Sequence, residues 1–178
     1  MTLVHQTSMT MHGCETALRY HEPTKAFEPE RVTSVLVVAF DDKGRILTVH
    51  NVRGVDIPGG HVEAIDRTHE DTARREVMEE AAVTLGPLVL STVIESTSLG
   101  GRPEQLTYML VMTGYVERIG AFAPNHEIAE RHFLTRQQLA ERLSGPKDDL
   151  LMLVDMAERA RQSRSERFSK PPGPGWKF

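Results

Sequence analysis

The stretch "GGHVEAIDRTHEDTARREVMEEAAV", residues 59–83, places Glu76, Glu79 and Glu80 within five positions, directly behind Arg74 and Arg75 and downstream of a Pro58-Gly59-Gly60 turn. From about Thr68 to Ala82 the pattern predicts a helix. Thr68 suits the N-cap, and Asp71 three residues on makes the first turn acidic. Ala73, Val77 and Ala81 fall at i, i+4 and i+8, an apolar stripe that can pack on a sheet. At about 3.6 residues per turn the three glutamates then lie near one another on the remaining side of the helix. Taken alone, "REVMEE" reads most simply as an exposed helix face with an Arg75–Glu79 pair at i, i+4. The glycine turn changes that balance, because Gly59 and Gly60 let backbone approach the acidic face without side-chain obstruction. Hard divalent cations such as magnesium or manganese take oxygen ligands and bridge carboxylates to phosphates. Three clustered carboxylates need a positive partner, and such a cation can be one.

Outward from this stretch, "VTSVLVVAF" (32–40), "DDKG" (41–44) and "RILTVHN" (45–51) predict a hairpin that leads into the glycine turn. Downstream, "LVLSTVIES" (88–96) and "QLTYMLVMTGYV" (105–116) read as strands joined by a "SLGGRP" turn, the second long enough to be central. A loop over about 117–130 precedes "RHFLT". "TRQQLAERL" and "DDLLMLVDMAERARQ" then show helical spacing, with "SGPKD" breaking between them. Residues 1–30 lack sustained periodicity and read as an N-terminal extension, 31–165 as one domain, and 166–178 as a tail rich in proline and glycine.

On these residues the chain resembles the Nudix (MutT-like) hydrolases, whose signature is G-x5-E-x7-R-E-U-x-E-E-x-G-U with U apolar. Gly60 matches the opening glycine, while Arg75, Glu76, Val77, Glu79, Glu80 and Val83 match the second half. "DIPGG" and Glu63 resemble the usual lead-in. In two places the chain departs from the pattern. Asp66 stands where a glutamate is expected, with eight residues rather than seven before Arg75, and Ala82 replaces the late glycine. The resemblance implies an α/β (α+β) Nudix fold, a mixed central sheet between helices with the box as a loop–helix–loop. It implies Mg2+ or Mn2+ held by Glu76, Glu79, Glu80 and the Gly59 carbonyl, with one glutamate as the base for water and Arg75 orienting a glutamate. Gly60, Glu63 and Asp66 would support the loop. Glu127 or Glu130, in or just after the long loop, would supply a further ligand or base, and the sequence does not choose between them.

The whole chain agrees with a small-molecule enzyme. At 178 residues and a formal charge of −4 it has the length of one domain and no general electrostatic reason to bind nucleic acid polymers or anionic membranes. Its longest apolar run, "VLVVAF", is too short for a membrane span, and Cys14 has no partner for an intramolecular disulfide. A cytoplasmic location is therefore expected. His61 and His69 lack the paired spacing of a zinc site, and Arg102, Tyr108 and Trp176 read as loop, strand and tail residues before substrate contacts. The expected function is metal-dependent hydrolysis of a nucleoside diphosphate linked to another moiety. A Nudix-fold nucleotide sensor with little turnover is the alternative, and a homodimer is open by family analogy.

Overall fold

A computed structural model describes residues 3–11, 14–97, 105–143 and 147–169. In chain order its strands are β1 (Leu3–Met11), β2 (Cys14–His21), β3 (Val32–Phe40), β4 (Ile46–Asn51), β5 (Gly54–Asp56), β6 (Gly59–His61), β7 (Val83–Leu85), β8 (Val89–Ser96), β9 (Thr107–Ile119) and β10 (Ile128–Leu134). The helices are α1 (His69–Ala81), α2 (Arg136–Arg142) and α3 (Lys147–Ser169).

The apolar run of β3 has no polar alternation because the strand is covered on both faces, as parallel central strands are. Its Val35, Val37 and Ala39 enter one core with Ala73, Val77 and Ala81 of α1. Its Val38 and Phe40 enter a second core with Leu139 of α2 and Leu153, Val154 and Ala157 of α3. β3 pairs in parallel with β9, and the remaining ladders are antiparallel. The sheet runs β1-β2-β8-β9-β3-β4-β10, with β5 on β4, β6 on β3 and β7 on β9. This is the expected mixed sheet between helices.

Local chemistry fixes the helix starts. Thr68 accepts the Asp71 N–H while the Asp71 carboxylate accepts the Thr68 N–H, a reciprocal cap that sets the register of α1. Thr135 and Gln138 do the same for α2.

Two local expectations change, and the stretch before Val32 gains defined structure. The β3/β4 hairpin closes through a single registered pair, Phe40 with Ile46, after which β4 turns to β5 and β10. The loop expected over 117–130 is shorter, because β9 runs on to Ile119 against β7 and β10 starts at Ile128. The polar, exposed end of β9 conceals that extension in the sequence. Within the stretch before Val32, β1 and β2 continue the sheet beyond β8. Tyr20 Oη donates to Asp149 of α3 at 3.2 Å, and the His5 ring lies 3.0 Å from the same carboxylate. The "SLGGRP" turn with its Arg102, most of "SGPKD" and the tail from residue 170, including Trp176, lie outside the described residues. Among the described residues no helix is long and apolar enough to cross a membrane.

Two features carry stability predictions. Ala82 caps α1 at φ 52°, ψ 44°, the left-handed conformation in which its β-carbon is strained. Changing Ala82 to Gly relieves that strain and gives back part of the gain in unfolded-chain entropy. Differential scanning calorimetry should show the variant more stable by about 0.5–1 kcal/mol, or roughly 2–3 °C. The second feature is His21, whose ring is buried with neither nitrogen hydrogen-bonded. Burial, then the Lys25 charge, lowers its pKa from the usual 6.5. The unfolded state therefore takes up a proton as pH falls through 6.5 that the folded state does not, and His21's contribution is complete above that pH and lost below it. Urea midpoints measured from pH 7 to pH 5 should fall less steeply for His21→Leu than for wild type.

Candidate metal and phosphate site

The first turns of α1 leave Arg75 between the helix and the preceding loop. Its guanidinium forks onto Asp66, with Nε at 3.1 Å from Oδ1 and Nη2 at 2.9 Å from Oδ2. Nη1 donates to Glu76 at 2.8 Å and Glu79 at 3.2 Å, and Nη2 donates to the His61 carbonyl at 2.9 Å. Glu63, exposed, stands 3.7 Å away. One cation thus ties the glycine turn, the loop and the helix together. The hydrogen bonds from Arg75 hold the Asp66 carboxyl well below the usual carboxylate range, and Asp66 in return raises Arg75. Asp66 also accepts the Thr72 hydroxyl at 2.9 Å and the Glu63 N–H at 3.0 Å. Its side chain is 3 % exposed, so the shorter acid and the extra loop residue form a closed, fully bonded turn.

Gly59 and Gly60 bring β6 against the acidic face. A β-carbon on Gly59 would collide with the backbone at Val35 and Leu36, and one on Gly60 would fall on the Glu76 carboxyl group. Glu76 can lie flat over the backbone only because residue 60 has no side chain. The Gly59 N–H donates to Glu80 Oε2 at 2.9 Å. Burial pushes the Glu80 carboxyl up to about 7; the Gly59 bond opposes this, while the charges of Glu76, Asp56 and Glu127 add to it. Burial raises Glu76 as well, against the pull of Arg75. Glu79 is 59 % exposed at its side chain and points its carboxylate toward Arg75.

The two loop candidates have different surroundings. Glu127, 72 % exposed at its side chain, pairs with His126 at 3.5 Å and adds its charge to the field at Glu80, whereas Glu130, on β10, is bonded to His132 at 2.6 Å. Asp56, at the end of β5, joins the Glu80 group and was missed in the sequence, although its place just before "IPGG" was a usable signal. Burial raises its pKa too. Of the remaining candidates, the His69 ring packs near Phe27 and Tyr108 is buried beside the same phenylalanine.

Among the described residues no three His, Cys, Asp or Glu side chains form a ready cage for an ion. Hard divalent cations take carboxylate, carbonyl, phosphate and water oxygens together. A half-buried carboxyl raised to about 7 by burial and like charges is a group that an added cation would let ionise. The donors present therefore fit such an ion.

A NUDIX domain model matches residues 30–154. No curated protein sequence matches the chain. Among solved structures, the Bacillus subtilis pyrophosphohydrolase BsRppH superposes with a TM-score of 0.60 at 17% identity, covering 92% of this chain and 98% of that one. The NUDIX domain of Shewanella oneidensis NrtR, complexed with ADP ribose, gives 0.58 at 14% identity, covering 76% and 94%. A MutT protein from Methanosarcina mazei gives 0.53 at 20% identity, covering 75% and 94%. At these identities the structural likeness speaks to fold, and the domain match, which spans more than half the chain, decides the family. With Arg75, the glycine turn and the three glutamates of α1 assembled in one place, this chain belongs to the Nudix family, hydrolases that act on phosphoric anhydride bonds.

Proposed function

We propose that this protein is a pyrophosphohydrolase that cleaves a nucleoside diphosphate linked to another moiety, with Mg2+ or Mn2+ at the acidic face of α1. The observation that carries the reading is the grouping of Glu76 and Glu80, with the charges of Glu127 and Asp56 acting at Glu80, above a backbone that Gly60 keeps bare. Glu76, Glu79 and Glu80 would hold the ion, with the Gly59 carbonyl as a further oxygen donor and Glu127 as the loop carboxylate. A bound divalent ion neutralises diphosphate oxygens and lowers the pKa of coordinated water.

The side chains supply the rest. Arg75 is already engaged by Asp66, Glu76 and Glu79, so it orients carboxylates and does not serve as a phosphate clamp. Glu80, raised to about 7 by burial and like charges, is the carboxyl whose ionisation a bound cation would favour most, so it would serve as a ligand, with Glu76 or Glu79 as the candidate base. Asp66 keeps Arg75 in place from the loop side. A nucleotide-derived small molecule is the substrate class favoured here, and a solved NUDIX domain does bind ADP ribose. We also propose residues 31–165 as the catalytic unit, a cytoplasmic location and no role for nucleic acid polymers.

The alternative, a sensor with little turnover, drew its support from the departures at Asp66 and in the loop length. The complete hydrogen bonding of Asp66 removes much of that support. The two readings separate in turnover. Glu79→Gln and Glu80→Gln should each lower kcat by at least about 100-fold with the circular-dichroism spectrum unchanged. Wild-type rates in both variants would refute the assignment. Gly60→Ala tests the bare backbone, because its methyl group displaces the end of the Glu76 side chain and leaves the main chain in place. A loss of about 10- to 100-fold in kcat with near-native thermal stability is expected.

A further inference from the structure

Arg131, on β10, was not singled out in the sequence. Its strand pairs with β4 at Val49, but its side chain crosses to the end of α1. There Nη1 donates to the Ala81 carbonyl and, at 3.2 Å, to the Gly120 carbonyl, while the guanidinium lies 5.3 Å from the centre of the Phe122 ring. Ala81 directly follows Glu80, and Gly120 and Phe122 begin the loop that ends at Glu127. One planar cation therefore grips both the helix beside Glu80 and the loop that carries Glu127.

The loop is fixed at its two ends as well. Gly120 N–H donates to the Ala82 carbonyl at 2.8 Å. Asn125 Oδ1 accepts from the Glu127 and Ile128 N–H groups at 2.8 and 2.7 Å, and the Asn125 N–H returns to the Ile128 carbonyl at 2.9 Å. Between these anchors Phe122 packs on the α1-side core, and Arg131 holds it from outside. An arginine suits this place because its planar fork can bond two carbonyls while its face lies over a ring. A cation at the C-terminus of α1 also complements the helix dipole, which is a purely structural gain. The contacts go further than such a gain needs, since they join α1 to the loop.

We propose that Arg131 is the positioning residue for the loop carboxylate: by bracing residues 120–127 against the C-terminus of α1 it sets where Glu127 stands relative to Glu80. This inference rests on the hydrolase reading for its kinetic consequence, but not for the brace itself. The burial that lowers the Arg131 pKa leaves arginine charged at neutral pH, so the brace is present throughout the working range.

The test uses Arg131→Met, Arg131→Lys, Glu127→Gln and the Arg131→Met/Glu127→Gln pair in the full chain. Hydrogen exchange in Arg131→Met should speed by about tenfold or more in residues 120–128 while β3 and β9 keep their protection. Against a substrate the wild type hydrolyses, Arg131→Met should lower kcat by about tenfold with KM little changed, and Arg131→Lys should recover part of the loss. In the Glu127→Gln background Arg131→Met should cost no further activity, although thermal stability falls equally in both backgrounds. Mn2+ titration of nucleotide-free protein should show weaker binding in Arg131→Met and Glu127→Gln, and no weaker in the pair. Unchanged exchange in 120–128, unchanged Mn2+ affinity in Arg131→Met, or the same fractional loss of kcat in both backgrounds would overturn the inference. A failure of the hydrolase reading looks different: the wild type itself turns over no substrate, and exchange and Mn2+ binding still decide the role of Arg131.

Discussion

The guanidinium of Arg75 sits among Asp66, Glu76, Glu79 and Glu63, and the acidic site depends on that arrangement. Carboxylates on one helix face repel, and the low dielectric of a partly buried site strengthens the repulsion. Arg75 neutralises the part of the cluster nearest the loop. Glu80 is left on the other side, held by one backbone N–H and surrounded by like charge. The site is thus divided into a half paired by Arg75 and a half where Glu80 is held by a backbone N–H among like charges. That second half gives the proposed metal chemistry its physical reason.

The fold supplies what the arginine alone cannot. α1 is seated on β3 by Ala73, Val77 and Ala81, and its capping box fixes which residues face outward. β6 is a short strand on β3, so the glycine turn is held to the same central strand that carries the helix. The helix and the turn cannot drift apart without breaking the core. On the far side, β10 and its preceding loop bring Glu127 in from the opposite half of the chain.

Much of this was legible in residues 59–83. Thr68 and Asp71 announce a helix start, the stripe announces the buried face, and the glutamates follow from helical spacing. The role of Asp66 was harder to read, because a shorter acid in a longer loop reads as a defect until its fork onto Arg75 is seen. Asp56 and Glu127 add their charge at Glu80 across long sequence separations, which no local pattern records. The N-terminal hairpin was obscure for another reason. β1 lies at the sheet edge, where exposed Gln6 and Ser8 and half-buried Thr7 give little apolar alternation, and polar Thr16 and His21 are buried in β2. Ala82 shows that tertiary context can hold a non-glycine residue in a left-handed cap, against local preference.

The most direct measurement is 31P NMR of the purified protein with ADP-ribose, nucleoside triphosphates, dinucleoside polyphosphates, nucleotide sugars and coenzyme A, each with Mg2+, with Mn2+ and with chelator. The account predicts cleavage of a phosphoric anhydride bond in at least one of these, releasing a phosphomonoester, with turnover abolished by chelator. Nucleotide binding without cleavage of any compound in either metal, or cleavage that persists undiminished in chelator, would contradict it.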